Sequence, residues 1–224
     1  MGAIRKGPRA DDPRVRRSRA AVVDAARTLF LRRGYAGTTM AQIAAEAGLT
    51  KRTLYNNYAG KEALFTQIVV ETIGYADAFA RGLREEFAGN VTAANLAAAL
   101  DDLGRRLALG IVRAEVIALR RLLIGEAREF PSLAREYFDR APGQVLDALA
   151  TGFKLVSRAG LLRVTEPRQA AAQFAYLVAG EALDRAVLVG TIPPRARIIA
   201  GAREGVRTFL ARYAVAPSSR RRIG

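Results

Sequence analysis

The stretch TTMAQIAAEAGLTKRTLYNNY, residues 38–58, holds two short helical patterns around a single glycine. Thr39 and Gln42 stand in capping-box spacing, so each can satisfy an N–H that the start of a helix leaves orphaned. Ile43, Ala44 and Ala47 supply that helix with a buried stripe, Gly48 closes it, and Thr50 can cap another helix two residues later. Two helices of about eight residues joined by a glycine turn make a helix-turn-helix.

The second of these helices is poor in apolar residues. Projected at about 100° per residue, Leu54 and Tyr58 share the face that meets the preceding helices. Arg52 and Asn56 point almost opposite, with Thr53 and Tyr55 to either side. A helix this short is marginal alone, so Leu54 and Tyr58 must hold it. Its far side is then a presented surface, although a solvated face on an ordinary bundle helix has the same pattern. As a presented surface it suits the DNA major groove, where the first residues of a recognition helix meet base edges. Arg52 can fork onto guanine and Asn56 can pair with adenine. Lys51, Tyr55 and Asn57 are better placed for phosphates, which fix register without reading sequence.

Upstream, Asp12-Pro13 reads as the start of a helix with Val22, Ala26, Leu29 and Phe30 on one face. Gly34 ends it in the left-handed conformation, leaving Tyr35 free to pack back on Phe30. Downstream, Leu64, Phe65, Ile68, Val69, Thr72, Tyr75, Phe79, Leu83 and Phe87 trace one long helix. Its start at Gly60-Lys61 offers free N–H groups and a lysine to an anion such as a DNA phosphate, although a lysine at a helix start is commonly incidental.

The charge is unevenly spread. Residues 1–66 carry thirteen Lys/Arg against five Asp/Glu, a net +8 of the total +15, whereas residues 67–216 carry twenty against sixteen, a net +4. A positive field concentrated in the first third points to a polyanion there, most simply nucleic acid. A general arginine bias, 32 Arg to 4 Lys, accounts for part of the total. Cysteine and histidine are both absent, which removes disulfides, thiolate metal sites, Ser-His-Asp and Cys-His catalytic systems and the His-Glu-x-x-His motif. No cofactor motif is present. The longest run without a charged residue is fourteen residues, Phe87 to Leu100, so we expect no membrane span, no signal peptide and a cytoplasmic location.

The expected fold is all-α. Residues 1–12 read as a disordered basic arm, 13–60 as the helix-turn-helix domain, 61–214 as a larger helical domain and 215–224 as a basic tail. Leu96, Leu100, Leu103 and Leu107 form one further stripe, and Val116, Leu119, Leu123 and Ala127 another. Pro131, Pro142 and Gly160 punctuate the middle, and Leu161–Val164 allows a short extended piece. The last two helices carry Phe174, Val178 and Ala182, then Ile199, Ala202, Val206 and Phe209, at the spacing of a bundle seam. Gly201 and Gly205 would admit a close partner. Core packing within one subunit and pairing of two subunits both fit this pattern.

From Arg17 to about Phe65 the chain resembles the DNA-binding domain of TetR-type transcriptional regulators: a helix ending in Arg33-Gly34-Tyr35, then GTTMAQIAAEAGLTKRTLYNNYAGKEALF. The stretch from about Leu119 to Gly190, with RRLLIGEAREFPSLAREYF and GLLRV, resembles the AefR-like branch of that family. The resemblance implies a homodimer that binds double-stranded DNA through its three N-terminal helices and a small-molecule effector through its C-terminal domain, with the last two helices forming the dimer interface. The implied DNA contacts fall on Thr39, Thr50, Lys51, Arg52, Thr53, Tyr55, Asn56, Asn57 and Lys61. Many relatives carry a small residue at position 52 and His-Phe at 57 and 58, so Arg52 is a departure that alters base reading.

The corresponding function is a repressor released from a pseudo-palindromic operator by an apolar or aromatic effector. Tyr75, Phe79 and Leu83 on the long helix are the expected pocket walls, with Phe130, Tyr137, Phe153 and Tyr176 as further candidates that each suit a plain core better. A TetR-type activator and a non-specific DNA-compacting protein remain the alternatives. An enzyme is not expected, because the remaining acids and bases scatter over solvated helix faces.

Overall fold

The computed structural model describes residues 13–89 and 91–215. The expected basic arm, the Asp12 cap and residues 216–224 of the expected tail lie outside the described residues. Those described form ten α-helices: α1 Pro13–Arg33, α2 Met40–Glu46, α3 Lys51–Asn57, α4 Lys61–Gly89, α5 Leu96–Ile111, α6 Ala114–Glu126, α7 Pro131–Phe138, α8 Gln144–Arg158, α9 Pro167–Asp184 and α10 Arg195–Tyr213. Among them there is no sheet. The extended piece after Gly160 pairs with the end of α10 through one antiparallel bridge, Leu162 to Ala214.

Two wide π-helical turns are present among the described residues: Asp139–Gly143 joins α7 to α8, and Arg185–Val189 ends the helix that α9 begins. Pro142 lies inside the first. Proline lacks the N–H of a regular helix, and the wider turn passes it without breaking the rod. The sequence placed a punctuation there, but the chain runs on.

The chain divides into two compact units. Of the described residues, the first takes in those up to Thr72 together with Leu122–Ala134; the second takes in those between Ile73 and Arg121 and those from Arg135 to Val215. In the first unit Val22, Ala26, Leu29 and Phe30 of α1 bury with Ile43 and Ala44 of α2, Leu54 of α3 and Leu64, Phe65, Ile68 and Val69 of α4. Arg27 of α1 pairs with Glu71 of α4 at 2.8 Å. Segment 122–134 adds a ring to this core. Phe130 stands edge-on to Tyr35 at 4.8 Å and to Phe65 at 5.4 Å, and Phe30 lies 5.5 Å from Tyr35.

The second unit is built around α5, α8, α9 and α10. Four phenylalanines form its centre: Phe153 lies 5.8 Å from Phe87, 5.4 Å from Phe174 and 5.0 Å from Phe209. A Cβ at Gly152 would sit 2.1 Å from the Phe87 ring, and one at Gly205 would sit 2.3 Å from the carbonyl oxygen of Leu177. The two glycines thus set the approach of α4 to α8 and of α10 to α9. At the edge of this core Arg106 of α5 bonds Glu86 of α4 at 2.5 Å and Asp102 at 2.6 Å, while Arg105 also bonds Asp102. Burial alone would push the Asp102 carboxyl upward, but the hydrogen bonds and charge of Arg105 and Arg106 outweigh it and hold the carboxyl below its ordinary value.

Along α4 the expected stripe holds at Leu64, Phe65, Ile68 and Val69 and again at Leu83 and Phe87, and between these two stretches it runs one position away from the expected Thr72 and Phe79. There Ile73 and Ala80 are buried, whereas Tyr75 is 62 % exposed. A stripe read by stepping between aromatic residues overshoots, because over 29 residues the 3.6-residue period must be followed by position and not by size.

Candidate nucleic-acid interface

The helix-turn-helix is closed by local hydrogen bonds. Gly34 takes φ +74°, and its N–H donates to the Phe30 carbonyl at 2.9 Å. Thr39 and Gln42 make the full capping box at the start of α2. Gly48 turns the chain at φ +65°. Thr50 then caps α3, its hydroxyl accepting from the Thr53 N–H at 3.2 Å. α3 spans only seven residues, and Leu54 is its one buried residue, fully enclosed.

This arrangement sorts the expected DNA contacts into two groups. Thr50, Thr53 and Asn57 are tied to their own helix: the two threonine hydroxyls lie 2.9 Å apart, and the Asn57 amide donates to the Thr53 carbonyl at 2.8 Å. Lys51, Arg52 and Asn56 are exposed, Tyr55 is 54 % exposed, and none of the four has a side-chain hydrogen bond or ion pair within the described residues. Thr39 is exposed but engaged in the capping box.

Two residues differ from expectation. Tyr58 stands just past the end of α3 with φ −138° and is half-buried, so Leu54 alone anchors the helix from within. Burial raises the Tyr58 hydroxyl pKa, opposed by Arg19 and aided by Glu71. Lys61 is not a free cation at a helix start. Its ammonium donates to the Tyr35 carbonyl at 2.7 Å and sits 4.1 Å from the centre of the Tyr35 ring, which spends one of its three protons inside the subunit. Burial, then Glu62, Glu126 and Glu129, raise the Tyr35 pKa.

Of the expected pocket walls, Phe79, Leu83 and Phe153 meet in one core and the other four lie apart from them. Tyr75 and Tyr176 are exposed, at 62 % and 67 %, and Tyr75 lies under the Arg113 guanidinium at 5.5 Å. Leu83 and Phe153 are fully buried in the core of the second unit, with Phe79 partly buried against it. Tyr137 is buried beside Arg120, and Phe130 belongs to the ring cluster of the first unit. Large side chains at helical spacing close cores first, and only a residual gap becomes a pocket.

The expected dimer residues need the same correction. Phe174, Val178, Ala182, Ala202, Val206 and Phe209 are buried inside the subunit, and Ile199 is half-buried. The seam joins α9 to α10 and α5 of the same chain. Gly205 admits the chain's own α9, whereas a Cβ at Gly201 would meet nothing within 4 Å. What α9 and its continuation leave outside is Tyr176, Leu177, Leu188 at 79 % exposure and Val189 at 67 %. An open groove of about 450 Å³ runs there, between Tyr176 and Leu177 on α9 and Thr208 and Arg212 on α10, and a smaller dip of about 60 Å³ lies beside Leu177, Gly180 and Gly201.

Among the described residues no helix is long and apolar enough to cross a membrane. Residues 22–68 match the family described as bacterial regulatory proteins of the tetR family, and residues 98–215 match the AefR-like transcriptional repressor C-terminal domain. No curated protein matches significantly. Among solved structures, a TetR-family transcriptional regulator from Mesorhizobium loti is 27 % identical with a TM-score of 0.79, over 92 % of this chain and 100 % of that one. The flavonoid-responsive regulator FrrA is 29 % identical with a TM-score of 0.66, over 90 % and 99 %. A TetR-family regulator from Pseudomonas syringae shares the fold at 22 % identity and a TM-score of 0.67, over 89 % and 98 %. With an exposed polar helix set on a single buried leucine and both family matches in register with the two halves of the chain, the protein belongs to the TetR family of transcriptional regulators, with an AefR-like C-terminal domain.

Proposed function

We propose that the protein is a dimeric repressor that sets two copies of α3 into successive major grooves of a pseudo-palindromic operator. The observation that carries this reading is the outer face of α3, where Lys51, Arg52, Tyr55 and Asn56 stand free while Leu54 holds the helix from below. Arg52 reads guanine through two parallel hydrogen bonds and Asn56, one turn on, reads adenine; Lys51 and Tyr55 take phosphates. Thr39, Thr50, Thr53 and Asn57 position the helix and approach the backbone from its start and flank. Lys61 contributes charge near the phosphates while fixing Tyr35.

Dimerisation uses the surface that α9, the turn after it and α10 leave exposed, with Tyr176 and Leu177 lining the open groove and Leu188 and Val189 standing further along, in place of the seam residues spent on the subunit core. Large apolar side chains left exposed in this way mark an interaction surface. The effector is small and apolar or aromatic and binds in the C-terminal domain; the response of a 29 % identical neighbour to flavonoids supports an aromatic class. Release follows if the effector prefers a conformation whose two α3 helices no longer match the groove spacing, and it shifts the equilibrium only by that preference. A hydroxyl-radical footprint on a selected operator tests the reading. Two protected half-sites on one face, their centres about 34 Å apart or modestly more, are expected; a single unpaired half-site overturns it.

A further inference from the structure

We infer that Asp77 and Arg120 form the polar end of the effector site, and that the effector they select carries hydroxyl groups on an aromatic frame. This deepens the effector reading above and rests on it. Among the described residues, Asp77 Oδ1 and Arg120 Nε are buried side-chain polar atoms with no hydrogen-bond partner. Both belong to the second unit, Asp77 on α4 and Arg120 on α6, and both meet the same turn at the end of α7. The other Asp77 oxygen faces Arg140 at 3.6 Å, and Arg140 in turn bonds Glu136 at 3.0 Å. The Arg120 guanidinium lies 5.9 Å from the centre of the buried Tyr137 ring. Tyr137 and Arg140 are three positions apart and therefore neighbours on one helical face.

The two atoms are opposite in sense. A carboxylate oxygen only accepts and a guanidinium nitrogen only donates. Asp77 and Arg120 make no ion pair with each other, although Glu86, Asp102 and Arg106 of the same unit saturate one another. Buried polar atoms in folded proteins are nearly always paired, and a buried donor and acceptor kept unpaired beside one turn are set for a group from outside. That group must both donate and accept, as a hydroxyl does, and the Tyr137 ring offers the flat apolar neighbour that suits an aromatic body. A purely apolar effector would leave both atoms as they stand and gain nothing from them, whereas a hydroxyl that pairs them adds to the binding free energy.

The test uses the full chain on its operator, with naringenin and its trimethyl ether as a matched pair: the same frame, with every hydroxyl capped. Binding is measured by calorimetry and operator release by fluorescence anisotropy. Naringenin is expected to bind roughly 10- to 100-fold more tightly than the ether. Arg120→Met and Asp77→Asn should each shrink that ratio, mainly by weakening naringenin. Equal binding of the pair, no binding of naringenin, or an undiminished ratio in both variants overturns the assignment. Decanoate and naphthalene form a separate arm: release by either, with no preference for naringenin, sinks the assignment and leaves the effector reading standing. Operator binding that no compound in any arm disturbs overturns the effector reading and the assignment with it. Melting of the ligand-free variants supplies a second readout. Arg120→Met should melt at or above the parent chain, because an unpaired buried donor has been removed, and a clearly lower midpoint would mark Arg120 as structural and overturn the assignment.

Discussion

Gly201 and Gly205, one turn apart on α10, should respond in opposite ways to the same methyl group. At Gly205 an added Cβ would sit 2.3 Å from the Leu177 carbonyl oxygen, 2.5 Å from its carbon and 2.9 Å from the Val178 nitrogen, all backbone atoms of α9. An ordinary carbon–oxygen contact is about 3.3 Å, so the two helices must part by about 1 Å. No side-chain rotation can relieve this. Overpacking of this kind costs about 1–3 kcal/mol, and the better helix propensity of alanine returns at most about 1. Gly205→Ala should therefore lose about 1–2 kcal/mol, which at this chain length lowers the melting midpoint by roughly 2–8 °C. Gly201 has open space around its Cβ position, and Gly201→Ala should gain about 0.5–1 kcal/mol. Urea denaturation followed by far-ultraviolet circular dichroism, at one fixed protein concentration because subunit pairing shifts apparent stability, separates the two. A Gly205→Ala chain as stable as the parent would refute the close α9–α10 approach.

Further predictions follow from the same geometry. Leu54→Ala should cost about 2–5 kcal/mol and abolish binding to operator and random DNA together, read as a lowered melting midpoint with loss of anisotropy. Lys61→Ala should weaken all sequences alike and flatten the salt dependence of binding by about one unit, checked by affinity titrations at several salt concentrations. Gly201→Arg should dissociate the dimer while leaving the helical signal intact, seen by sedimentation. Because Asp102 is held below its ordinary value, its contribution to stability is present above the unfolded carboxylate pKa and is lost as pH falls through the folded one. Denaturation midpoints of Asp102→Asn and the parent chain should thus differ near neutrality and converge in acid.

Local signals were the most legible part of the sequence. Gly34, the Thr39–Gln42 box, Gly48 and Thr50 each specify one backbone event through their own chemistry, and each occurs where its neighbours require it. Leu54 was legible for a related reason: a seven-residue helix with one aliphatic side chain has one way to dock. The wider pattern was less so. Periodicity shows that Phe174, Val178, Ala202 and Val206 face something apolar, but not whether that surface belongs to the same chain, and α5 with its Gly104 opening toward Val206 supplies it. Tyr75 has a ring at nearly the right phase for the stripe, yet Ile73 carries it and Tyr75 stands outside. Nothing local marks Phe130 as a partner of Tyr35 and Phe65, which lie far from it along the chain. The orphan atoms of Asp77 and Arg120 were invisible, since pairing is a property of the folded neighbourhood and not of residue type.

The central claim is that α3 is a presented reading helix whose Arg52 specifies a base. Operators selected from a random DNA pool, then altered one base pair at a time, allow the affinities of the parent chain and Arg52→Ala to be compared at every position. The parent should discriminate for guanine at one position in each half-site by about 1–3 kcal/mol, and Arg52→Ala should lose that preference alone while melting as the parent does. A folded Arg52→Ala chain that keeps the full base preference at every position would contradict it.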